Sequence, residues 1–198
     1  MEPLLKLSRG IDWLNERVGR SVYWLVLVAV LVSAINAIVR KLFNMSSNAF
    51  LELQWYLFSA VFLFAAGYTL LRNEHVRIDV VAGRFSPRTQ AWIDVFGTIF
   101  FLMPMALLFI WLSWPVFIRT LTHGEISTNA GGLLIWPARA LVPFGFALLV
   151  LQGLSELIKR VAFLTGHGPD PVPRHDPGAA ERELAEEILR RQQQEAKS

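Results

Sequence analysis

The sequence contains no cysteine. That absence excludes disulfides, iron–sulfur clusters and cysteine-ligated zinc. Charge is also scarce: 18% of the 198 residues are Asp, Glu, Lys or Arg, against about a quarter in a soluble domain. The four histidines, His75, His123, His167 and His175, all fall outside the long apolar blocks, so no pair is placed to ligate a membrane haem. The sequence carries no phosphate-binding glycine loop, no nucleophile-and-base pair and no cluster of metal ligands. It is read as a chain with no catalytic, cofactor-binding or metal residue, and not as an enzyme.

What the chain has in quantity is apolar side chains, at 54% of residues. They fall in four blocks with the charges between them. An apolar helix needs about 20 residues to cross the hydrocarbon core, and lipid offers no partner to unpaired backbone groups. The blocks therefore predict an all-α integral membrane protein with spans at about 21–39, 49–71, 91–117 and 133–158. The first block, at about 19 residues, is longer than a signal-peptide core, and Arg40 and Lys41 follow it. We read it as a retained span. The net charge of +3 does not point to nucleic acid, because the basic residues flank the spans instead of forming one solvated patch.

Lys and Arg positions set the orientation. Lys6, Arg9, Arg17 and Arg20 precede the first span; Arg72, Arg77, Arg84 and Arg88 lie between the second and third. Lys159, Arg160 and five further basic residues follow the fourth. The opposite side holds only Arg40, Lys41 and Arg119. Both termini are expected in the cytoplasm of a bacterial cell, with the chain multi-pass in its inner membrane. Trp24 and Trp92 fall near the predicted inner surface, and Trp55, Trp114 and Trp136 near the outer one, the depths that indole rings favour.

Three domains follow from this pattern. Residues 1–20 carry Leu4, Leu7, Ile11, Leu14 and Val18 at spacings of three and four, which predicts an amphipathic helix on the membrane surface or docked on a partner. Residues 21–160 form the four-helix membrane domain. Residues 161–198 begin with a Pro- and Gly-rich linker and end in a charge-laced tail, where Glu186–Arg190 and Glu187–Arg191 have helical spacing.

Charged residues inside spans are costly and demand a reason. Glu52 lies about one turn from the outer surface and Asp94 about one turn from the inner one. Arg139 sits inside the fourth span, after Pro137, and can reach outward along its own stem. Glu52 and Arg139 share a side, so a contact between them is expected. Pro137 and Pro143 should disturb the helix that contains them.

The run Gly67, Tyr68, Leu70, Arg72, Asn73, Glu74, His75, Val76, Arg77, Ile78 and Asp79, with Glu52 opening the same helix, resembles the DctQ-like small permease subunit of tripartite ATP-independent periplasmic (TRAP) transporters. Asn36 and Arg40 closing the first span resemble that family too. So does Gly131–Gly132–Leu133–Leu134–Ile135–Trp136–Pro137, continuing to Gln152 and Gly153. The likeness covers roughly residues 10 to 165. It implies a scaffold subunit in sodium-coupled uptake of a small organic acid. The implied partners are a large multi-helix permease, a periplasmic solute-binding protein and membrane lipid. The chain would need no cofactor of its own, with sodium held by the large subunit. His75, Arg77 and Asp79 are read either as a polar brace or subunit contact, or as ordinary loop charges. The alternative function is a self-sufficient homo-oligomeric channel or small transporter.

Overall fold

The computed structural model describes residues 1–43, 47–72 and 85–168. Those residues form helices joined by short loops, with no strand beyond a single bridge among them. In order they are α1 (Glu2–Phe43), α2 (Asn48–Leu71), α3 (Pro87–Gly97), a π-turn (Thr98–Leu102), α4 (Met103–His123) and α5 (Trp136–Leu164). Among the described residues four stretches are long and apolar enough to cross a membrane: Glu2–Phe43, Asn48–Leu71, Pro87–His123 and Trp136–Leu164. The chain is an all-α membrane protein.

The N-terminal amphipathic segment and the first span are one unbroken helix. Its face at Ser8, Ile11, Asn15, Gly19 and Val22 is buried, and α1 packs against both α2 and α5. The stripe seen in the sequence at Ile11 is thus partly an internal contact, while Leu4, Leu7 and Leu14 stay exposed. α5 is central, touching α1, α2 and α4.

Close packing rests on missing side chains. A Cβ at Gly67 would lie 2.3 Å from Asn15 Oδ1, and one at Gly145 would lie 2.7 Å from Leu63 Cβ. Small residues let helix backbones approach where no hydrophobic force drives them together.

Prolines are absorbed differently along the chain. Pro137 lies in the first turn of α5, where its missing N–H costs nothing. Pro143 lies inside α5 and is buried, yet the helix continues through it. Pro104 follows the π-turn; a straight α-helix would drive its ring toward the carbonyl four residues back, and the wider turn relieves that. The charged tail, 169–198, lies outside the described residues.

Candidate functional site

α1 begins and α5 ends at one end of the bundle, here the near end; the 124–135 loop caps the far end. Polar side chains gather at both ends, and the flanks between them are apolar.

At the far end, Asn48, Glu52 and Tyr56 follow one another at four-residue steps, so they share one face of α2. All three bind the loop. Glu52 is only 6% exposed. Its Oε1 accepts a short hydrogen bond from Ser127 Oγ and one of 2.8 Å from Asn129 Nδ2. Its Oε2 accepts from the Leu133 N–H at 2.7 Å. Asn48 Nδ2 donates to Ala130 O at 3.1 Å, and the Tyr56 hydroxyl to Leu134 O at 3.0 Å. The loop also pairs with itself: Ser127 N–H donates to Leu133 O at 2.9 Å, and Ile135 N–H to Glu125 O at 3.0 Å. Gly124 and Gly131, at φ of 60° and 72°, supply the left-handed corners that other residues adopt at a cost. The result is a small fixed hairpin clamped to α2 through a buried carboxylate.

Arg139 does not meet Glu52. The loop's three donors already occupy that carboxylate, and Arg139 lies instead beside Leu112, Val116 and Val142 in a cleft between α4 and α5. It is exposed, and it makes no ion pair among the described residues. The expected Glu52–Arg139 contact is replaced by the carboxylate–loop contact. Backbone and side-chain donors next to Glu52 are shorter-range partners than a cation on another helix face.

At the near end, α1 and α5 share a polar seam. Ser8 Oγ and Ser155 Oγ lie 2.7 Å apart. Asp12 Oδ1 accepts from Ser155 Oγ at 2.6 Å and from Gln152 Nε2 at 2.9 Å, and Lys159 Nζ lies 3.2 Å from Asp12 Oδ2. Lys159 also pairs with Glu156 at 2.5 Å, and Gln152 donates to the same Glu156 oxygen at 3.2 Å. Because Gln152 donates to both carboxylates, its amide orientation is determined. Glu16 joins α1 to α2 through Arg72 at 3.0 Å, and the Arg72 guanidinium sits over the Tyr68 ring. Asp94 of α3 meets the buried Arg160 of α5 at 2.5 Å.

Of the residues singled out in the sequence, Glu52 and Asp94 have internal partners. Asn36 is buried on α1, and Arg40 is exposed in its last turn. His75, Arg77 and Asp79 lie outside the described residues. The sequence reading missed the near-end seam. Its signal was present: Ser8, Asp12 and Asn15 on α1, and Gln152, Ser155 and Lys159 on α5, recur at helical spacing. Among the described residues no group of His, Asp and Glu is arranged to hold a metal ion.

The arrangement can hold helices and a loop in fixed relation, with apolar walls left facing outward. That defines the class: a multi-pass membrane protein whose described polar side chains mostly bind one another. The profile of a family described as tripartite ATP-independent periplasmic transporters, DctQ component, matches residues 29–163. The chain belongs to that family and is a TRAP transporter small membrane subunit. No curated protein and no solved structure matches it.

Proposed function

We propose that this subunit is the fixed scaffold of a sodium-coupled importer for a small organic acid. A large multi-helix permease would carry substrate and sodium, and a periplasmic binding protein would deliver the solute. The chain lies in a bacterial inner membrane with its near end, and both termini, in the cytoplasm.

One observation carries the reading: the polar groups at each end of the described bundle are engaged chiefly with one another. Glu52 is filled by loop donors, and Asp12 by Ser155, Gln152 and Lys159. Polar groups used in this way brace a structure and do not form a coordination shell for a moving ion. Meanwhile Trp55, Phe62, Trp92, Phe101 and Trp111 are all more than 60% exposed, which suits a membrane wall.

A mild-detergent pulldown of the tagged chain from its native membrane tests the proposal. Mass spectrometry should find a large permease in one-to-one amount, and the reconstituted pair with its binding protein should import a carboxylate only under a sodium gradient. A homo-oligomer that moves solute or current alone in liposomes would overturn it.

A further inference from the structure

Two hollows open along the seam between α4 and α5. The larger, about 750 Å³, lies toward the near end and is walled by Phe101 of the π-turn, Met105 of α4, and Phe146 and Leu149 of α5. The smaller, about 340 Å³, lies toward the far end beside Arg139. Along α4 the wall residues Met105, Phe109, Leu112 and Val116 recur at steps of four, three and four. On α5, Arg139, Val142, Phe146 and Leu149 recur at three, four and three. Each set is one helical stripe, so the hollows belong to one furrow. The stacked rings of Phe109 and Phe146, 4.7 Å apart, form the sill between them.

The furrow has a definite length and polarity. From Arg139 to Arg160 it covers about 31 Å at 1.5 Å per residue, close to the roughly 30 Å of a hydrocarbon core. Its far end holds the Arg139 guanidinium, which has no acidic partner among the described residues. Its near end is charged as well, lined by Asp94, Glu156 and Arg160. Between them the walls are apolar apart from Thr98 and Ser113.

We infer that this furrow seats one membrane-spanning helix of the large permease, and that a carboxylate on that helix meets Arg139. The inference rests on the scaffold reading above. Three features favour a helix. Its length matches the furrow, and its side chains project at the three- and four-residue steps that fill paired hollows. An acidic side chain also satisfies a cation held a turn inside the membrane, where charges normally pair. A lipid chain reaches only the mid-plane and needs no hollows at helical spacing.

The test places p-benzoylphenylalanine at Met105 or Leu112 in the furrow, and separately at Val30 on α1, which is 58% exposed. After irradiation of native membranes, the furrow positions should give adducts with the large permease and Val30 should not. Arg139→Glu should reduce the permease recovered by pulldown at least fivefold, and Arg139→Lys should leave it within twofold. Furrow adducts with lipid alone, or with a second copy of this chain, would overturn the inference. So would permease adducts from Val30 only. A permease that co-purifies yet cross-links elsewhere sinks the furrow and spares the scaffold reading; absence of any permease sinks both. The cross-linking result stands even where the charge-reversed variant fails to fold.

Discussion

At the scale of single residues, Glu52 is the one whose environment departs most from what its position suggests. A carboxylate in the second turn of a membrane helix could face water or an ion; this one is an acceptor for three loop donors. Glu52→Gln keeps the size but turns one oxygen into an NH₂ group, setting a donor against a donor. The Leu133 amide should then exchange hydrogen at least tenfold faster, with the helices unaffected. Unchanged protection of that amide would rule out the clamp. At the near end, Asp12→Ala leaves Lys159 with Glu156 alone and removes an acceptor from Ser155 and Gln152. A loss of about 2 kcal/mol is expected, within the range for breaking hydrogen bonds to a charged group, as read by denaturant titration in detergent. Because the Asp12–Lys159 pair is about a quarter exposed, the coupling in an Asp12/Lys159 double-mutant cycle should be smaller, about 1 kcal/mol.

At the scale of elements, helix contacts depend on where a side chain is missing. Gly67→Ala would place a methyl group against Asn15 Oδ1 at 2.3 Å, so the fully buried Asn15 side chain would have to give way. The expected cost is about 1–3 kcal/mol, as for other overpacked sites. Shortening the opposing residue, as Asn15→Ala/Gly67→Ala, should recover most of it in the same titration. No recovery would place the strain elsewhere. The helices themselves were legible in the sequence, because each span is a long apolar run and lipid permits few alternatives. Their partners were less so. Asp94–Arg160 joins residues 66 positions apart, and apolar periodicity says nothing of which two helices face each other there. The continuity of α1 was also hidden, since a change from amphipathic to apolar character at Ser21 looks like a boundary even where hydrogen bonding runs through it. The π-turn at Thr98–Leu102 had only Pro104 as a local sign.

At the scale of the whole molecule, the two ends are built for different surroundings. The near end gathers Arg20, Arg72, Lys159 and Arg160 among acidic residues, and the far end replaces cations with backbone and amide donors around Glu52. In the proposed orientation, which rests on the positive-inside bias, the basic end faces the cytoplasm and the hairpin the periplasm. The lack of native cysteine makes this directly measurable, since any single cysteine introduced is the sole thiol. Thr128→Cys on the exposed hairpin and His167→Cys beyond α5 are both at exposed positions, on opposite ends of the bundle. In intact cells with a permeable outer membrane, a membrane-impermeant maleimide should label Cys at 128 fully and leave Cys at 167 unlabelled until the inner membrane is opened. The reverse pattern would invert the chain and place the hairpin away from any periplasmic component. Equal labelling of both before opening would mean that the four apolar stretches do not all cross, and the bundle would then need a different relation to the bilayer.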